Sequence, residues 1–498
     1  MAIKRYTADA DTTITNAFKP DLRTRATASN MGLSDSLEVF RIFGQEASGS
    51  SELSKILVKF PIAAISADRT NNVLPTSGNV NFYLRVFNAP HPLTLPRNFN
   101  LTIAAVSRSW DEGTGMDMEA YSDDGYARWT SAASNSSGVT DWTTPGGDFH
   151  ANPTFSAYFN EGTEDISIDI SDLVEQWLAD SGAANFKDNY GIAVHLTNES
   201  AASSSYTKKF FARGTQHFFK RPTIEARWDS STRDDRGSFY YSSSLAPAVD
   251  NLNTLYLYNY VRGRLRNIPD IGIGNIFVSL YSGSAKNSAP AGTRLLLPVG
   301  SSSFPGGVKS DKDNFATGGY VSTGIYSCSF ATTAASAPLT KLFDVWHNGS
   351  GIEYFTGSIV PKTLAASNTN PYSNYVVNIN NLRSVYYRHE TVQFRLFTRE
   401  KNWCPTIYSK ATATPESLIV ESGSYKVIRM SDEFDVIEFG TGSVLHTLLS
   451  YDATGSYFDL DMSLLEAGSA YGIKFAFYDD IANSWNEYPN VFKFKIEE

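Results

Sequence analysis

Cysteine is almost absent from this 498-residue chain: Cys328 and Cys404 are the only two, and neither sits in a C-x-x-C or zinc-like spacing. That argues against a disulfide framework or a thiolate metal site and leaves two reduced packing residues. Charge is scarce too, at 19% of residues against about 25% in a typical domain. No run approaches the ~18 consecutive apolar residues of a membrane helix, so no membrane insertion is expected. Two early basic residues, Lys4 and Arg5, have no apolar stretch behind them, so no secretory leader is expected either. The motifs H-E-x-x-H and G-x-S-x-G and the P-loop are missing, and the seven histidines are scattered. Metalloprotease, hydrolase and NTPase signatures are therefore not present. A net charge of -10 and a pI near 5.3 set up a field that repels nucleic acid and anionic membranes. No nucleic-acid partner is expected.

What is abundant is Ser, Thr, Asn and Tyr, arranged with a period of two. "NIFVSLYSG" near 275, "TVQFRLF" near 391, "YGIKFAFY" at 471 and "VFKFKIEE" at the end alternate branched or aromatic residues with polar ones. Half-buried antiparallel strands need that pattern. "IYSCSF" places Tyr326, Cys328 and Phe330 on one buried face, and Asn348 to Gly351 supplies a turn between two alternating runs. The chain is predicted to be all-β.

Helical signal is confined to short pieces. In "SIDISDLVEQWLADSG", Ser171 is a candidate cap, and Leu173, Val174, Trp177 and Leu178 form an apolar stripe that docks on a sheet. In "DMSLLEAGSAYGIKF", a helical turn after Asp461 stops at Gly468 and Tyr471 opens the next strand. That order matches the tyrosine corner of immunoglobulin-like sandwiches, whose hydroxyl bonds backbone upstream. A chain this long exceeds one ordinary core, and two polar interruptions divide it. The predicted units are 1–230, a linker 231–249, 250–363, a second linker 364–369, and 370–498. Short polar junctions predict beads on a string.

The densest functional candidate is "SRSWDEGTGMDMEAYSDDGYARW", Ser107 to Trp129, with six carboxylates. Adjacent Asp111 and Glu112 point to opposite faces of an extended segment, which is a poor start for a catalytic pair. The EF-hand spacing fails, yet calcium tolerates irregular oxygen cages, so Asp111, Glu112, Asp117 and Asp123 stand as weak calcium ligands. The competing reading makes Trp110 and Trp129 anchors of a long connection whose acids are solvated. No other cofactor is implied. The one basic and aromatic concentration, "YTKKFFARGTQHFFKRP", reads as a hairpin turning at Gly214 to Gln216, with Phe inward and cations outward.

The order of "TADADTTI", "NMGLSDSLEVF", "SKILVKFPI", "SWDEG", "DISDLVEQWL", "DNYGIAV" and "FFKRPTIEARW" over the first 228 residues resembles the DNRLRE-type β-sandwich family, which overlaps carbohydrate-binding modules. Downstream, "GGYVSTGIYSCSF", "DVWHNGSGIEYFTGSI" and "FDLDMSLLEAGSAYGIKF" resemble structural proteins of T4-like tailed bacteriophages of marine cyanobacteria. The resemblances imply a jelly-roll-like N-terminal sandwich, followed by two immunoglobulin-like β-sandwich domains. They imply a non-enzymatic virion component of the neck, tail or capsid surface, in multiple symmetric copies beside other virion proteins. A carbohydrate-binding adhesin that grips host glycan through its first domain is the alternative.

Overall fold

In the computed structural model the described residues are 2–43, 51–92, 95–136, 138–200, 205–283, 288–290, 292, 294–297, 315–333, 339–364, 375–401, 407, 417–479 and 482–498. Cys404 and most of the second linker fall outside them. The chain is all-β, with a jelly-roll-like sandwich followed by two immunoglobulin-like β-sandwiches.

The first sandwich packs a four-stranded sheet against a larger one. In the small sheet Asn81–Val86 lies between Thr223–Arg227 and Ile166–Asp169, with Ile3–Thr7 at the edge. In the large sheet Ser51–Lys59, Ile192–Leu196, Phe99–Val106 and Phe149–Phe159 run side by side. Alternation sorts the side chains: Phe82, Leu84 and Val86 meet Ile56, Val58, Leu101, Ile103, Ile192 and Val194 between the sheets. The intervening Leu57, Ala193 and Val106 face the other way into a second cluster.

Two helices close the end of this sandwich. Ser171–Leu178 buries Leu173, Val174 and Trp177, but Ser171 does not cap it. Its hydroxyl instead accepts the Phe82 N–H at 2.8 Å. The second helix, Ile62–Thr70, follows Pro61 and was not foreseen: "SKILVKFPI" reads as one strand, yet the strand ends at Lys59. Proline favours a helix start, and Arg69 at the far end forks onto Glu175 of the other helix at 2.6 and 2.7 Å.

The middle unit is a six-strand path in which Ile276–Gly283 pairs with Lys341–His347 and Ala316–Ser322. Its core holds Leu255, Val278, Tyr326, Cys328, Phe330 and Trp346. Burial pushes the Cys328 thiol far above its ordinary range. The strands Lys341–His347 and Glu353–Ile359 form a hairpin closed by Asn348, Gly349 and Gly351. In the C-terminal sandwich, Tyr375–Ile379, Thr391–Glu400, Gly455–Asp461 and Ser450–Asp452 face a sheet centred on Ala470–Asp479. Tyr471 is fully buried; its hydroxyl donates to the Glu466 carbonyl and accepts the Glu466 N–H, each at 2.9 Å.

The units are not strung on free tethers. Ile3 and Phe219 of the first unit are part of the C-terminal core. Within 231–249, read above as a linker, Phe239 is fully buried in the middle core. The Asp234 N–H donates to the Tyr451 carbonyl at 3.0 Å, and Arg236 forks onto Asp344 at 2.6 and 2.7 Å. Asp234 and Arg236 are therefore pairing groups of a strap, where composition alone suggested solvent.

Candidate functional site

The acidic excursion is built around a residue outside it. Asn30 donates from Nδ2 to the Glu112 and Ala127 carbonyls at 2.8 and 2.9 Å, and its Oδ1 accepts the Gly115 N–H at 2.9 Å. Its own N–H donates to the Asp123 carbonyl at 2.8 Å. Glycine is required where the two loops touch: a Cβ at Gly32 would lie 2.1 Å from the Glu112 carbonyl oxygen, and one at Gly115 2.0 Å from that of Asn30. Trp110, Trp129 and Trp142 then lie on Leu57, Val106 and Ala193. The excursion thus seals the second face of the large sheet.

The four calcium candidates are not gathered. Asp117 accepts the N–H groups of Glu119, Ala120 and Ser122 and the Ser122 hydroxyl. That hydroxyl first, then the amides, hold its carboxyl well below the usual range. Asp123 Oδ2 accepts the Met116 and Asp117 N–H groups at 2.8 and 3.1 Å. Glu112 forks onto Arg213 and accepts the Asp11 N–H at 2.8 Å. Asp111 bonds through its backbone to Ala132 and Ala127. Among the described residues no three His, Cys, Asp or Glu side chains are placed to share a metal ion. The carboxylates of Asp117, Asp123 and Glu112 are engaged in loop turns or in the Arg213 pair. Beneath the loop, Asp11 accepts the Arg213 N–H at 2.6 Å, and burial pushes its carboxyl up to about 7.

The basic and aromatic stretch is not a hairpin. Ser205–Phe211 belongs to the large sheet and Thr223–Arg227 to the small one, so 212–222 crosses between layers. Nor do all its cations face water: Lys208 is 1% exposed and donates to Asn88 Oδ1 and the Gly162 and Glu164 carbonyls at 2.6, 2.9 and 3.0 Å. Three oxygens replace its hydration shell, while burial lowers its pKa to about 8.

The crossing leads to the most heavily charged junction. Glu225, 3% exposed, accepts Arg5 Nε and Arg227 Nε at 2.6 Å each, with Arg85 Nη1 at 3.9 Å. From the C-terminal unit, Glu438 reaches Arg85 at 2.9 Å and Arg227 at 3.7 Å, and the Val436 carbonyl accepts Arg5 Nη2. Burial would raise the Glu225 carboxyl, but Arg5, Arg227 and Arg85 overcome it and hold the group well below its ordinary range. The strap between the other two units behaves oppositely. Asp235 accepts the Tyr451 hydroxyl at 2.8 Å and the Thr254 N–H at 2.6 Å, yet burial pushes Asp234 and Asp235 each up to about 6.

Trp177, the remaining residue singled out in the sequence, is 5% exposed in the first core, and Tyr471 lies in the third. Asn30, Glu225 and the Asp234–Asp235 pair were missed.

No family model matches the chain, and no curated protein matches it. Among solved structures it is similar to a titin fragment, at 9% identity over 54% of this chain and 95% of that one, with a TM-score of 0.15. It is similar to the N-terminal Ig1-2 module of the Drosophila receptor protein tyrosine phosphatase DLAR, at 8% identity over 50% and 91%, TM-score 0.14. A third likeness, to trypsin-activated alpha-2-macroglobulin from Escherichia coli, covers 90% of this chain and 23% of that one at 8% identity and a TM-score of 0.15. Overlaps this weak say nothing of activity or partners.

Proposed function

We propose that the chain is a non-enzymatic structural protein of a tailed-bacteriophage particle, an adaptor or spacer on the neck, tail or capsid surface present in symmetric copies. The observation that supports this reading best is the fastening of the three sandwiches. Ile3 and Phe219 enter a second unit's core, and one buried carboxylate collects three guanidiniums at the same junction. A spacer that transmits load between neighbours needs units that do not swing, whereas inter-domain motion is the default for small polar interfaces. The acidic loop is consistent with it, since its carboxylates fix turns over a sheet face. Mass spectrometry and a reconstruction of purified particles test the proposal. The chain should appear at a fixed symmetric position; its absence from particles together with secretion by the host would refute it.

A further inference from the structure

Between the first and C-terminal units lies a cleft of about 280 Å³ whose wall carries five basic side chains against three carboxylates. Two of the cations are uncommitted. Arg388 lies 4.8 Å over the Phe218 ring and Arg221 donates Nε to the Thr215 carbonyl at 3.2 Å, and among the described residues neither has a carboxylate partner. Arg85 is held by Glu438 and Glu225 through its two Nη groups, but it is 9% exposed and its Nε has no hydrogen-bond partner. Buried donors are rarely left unmatched, so the Arg85 Nε awaits an acceptor, beside the two half-buried guanidiniums of Arg388 and Arg221. Phe218 and Phe434 add half-buried apolar surface beside them.

The size and the mixture of charges narrow the ligand. A volume just under the ~300–1,000 Å³ of ordinary ligand pockets suits one small ring better than an extended chain. Guanidiniums select a planar carboxylate by its paired oxygens. The three wall carboxylates include Asp461, which caps Ser463 through one oxygen at 2.8 Å, and Asp435; both would repel a compact multivalent anion but accept hydroxyl groups. We propose that this cleft binds an acidic monosaccharide. Its carboxylate sits on Arg388 and Arg221, its hydroxyls face Asp435 and Asp461, and its apolar ring face lies on Phe218 and Phe434. Because both units line the cleft, such a ligand also clamps the junction. The site does not rest on the virion reading, which particle composition tests separately.

The test is calorimetric titration and thermal melting of the full chain with glucuronate, glucose or inorganic phosphate. Glucuronate should bind saturably and raise the melting temperature, as any ligand of the folded state does. Glucose and phosphate should bind about tenfold more weakly or worse, the loss of one charge-assisted contact being worth that factor. Arg388→Gln and Arg221→Gln should each weaken glucuronate about tenfold while melting like the wild type without sugar, and Arg388→Lys should recover part of the loss. Binding of glucose or phosphate as tight as glucuronate, unchanged affinity in both glutamine variants that melt normally, or no saturable glucuronate binding would each overturn the proposal.

Discussion

The two junctions bury acids in opposite ways. Where the first unit meets the third, one glutamate faces three arginines, and the surplus of positive charge outweighs the loss of water around Glu225. In the strap, Asp234 and Asp235 sit side by side, with Asp452 and Glu421 nearby, and Arg236 is committed to Asp344. Desolvation wins there and both carboxyls rise to about 6. Burial alone therefore does not decide the protonation of a junction carboxylate; the number of guanidiniums set against the loss of water does.

The largest effect should come from breaking the first of these. Glu225→Gln leaves Arg5 without a carboxylate and Arg85 and Arg227 with only the half-exposed Glu438, and removing one partner of a buried charge cluster costs about 3–5 kcal/mol. Denaturant unfolding of the full chain should show it, with faster hydrogen exchange along Ile3–Thr7 and Thr223–Arg227. A loss below about 1 kcal/mol would mean that solvent reaches the cluster.

Next in size is the response to pH, where the two junctions should separate. A raised carboxyl contributes stability that is complete below its ordinary value of 3.8 and is lost as pH rises through its folded value, about 6 for Asp234 and Asp235. Glu225, with its pKa lowered, does the reverse: its contribution is present above its ordinary 4.5 and fades as pH falls below that. Replacing both Asp234 and Asp235 by Asn should therefore flatten the decline between pH 4 and 7 by about 1–3 kcal/mol, while the acid-side loss owed to Glu225 remains. Stability curves of wild type and double variant from pH 3 to 8 measure both. A parallel pair of curves would remove the contrast.

The sequence carried the strands better than the junctions. Period-two alternation marks Ile325–Phe330, Thr391–Glu400 and Ala470–Asp479 without any partner, because each inward residue is set by its own neighbours. Tyr471 was legible for the same reason, its partner being five residues away. Arg5 and Glu225 are separated by 220 positions, and Asn30 earns its place through carbonyls 82 and 97 residues on. No local pattern encodes such pairs. Lys208 was misplaced: the hairpin reading turned its cations to solvent, and no local pattern shows the oxygens of Asn88, Gly162 and Glu164 that let an ammonium turn inward. The helix Ile62–Thr70 gave little signal because Ile65 is its one fully buried residue.

Within the strap a single change is gentler. Asp235→Asn at pH 8 removes a charge that the site already disfavours, and an amide keeps one of the two accepted hydrogen bonds. The loss of the other, about 1 kcal/mol, is offset by relief of desolvation, so the net change should stay within about 1 kcal/mol of wild type. Unfolding midpoints at pH 8 and pH 5 test it, with the variant comparing less favourably at pH 5.

The smallest effect should be at the rim of the first junction. Among the described residues Glu438 is the one carboxylate of the C-terminal unit paired with the arginine cluster, and by its contacts alone it would rank beside Glu225. Its side chain is 42% exposed, however, against 4% for Glu225. Water and salt screen a pair in that position, and exposed ion pairs typically contribute about 0.2–1 kcal/mol. Arg85 and Arg227 would also keep Glu225 after Glu438→Gln, so no guanidinium is stranded. The variant should unfold within about 1 kcal/mol of wild type, and that difference should shrink further in 1 M salt, where screening acts over about 3 Å. Glu225→Gln should lose little of its effect in the same salt, because its partners are out of solvent. If the two variants respond alike, the junction is held by surface charge and not by its buried centre, and the contrast with the strap disappears.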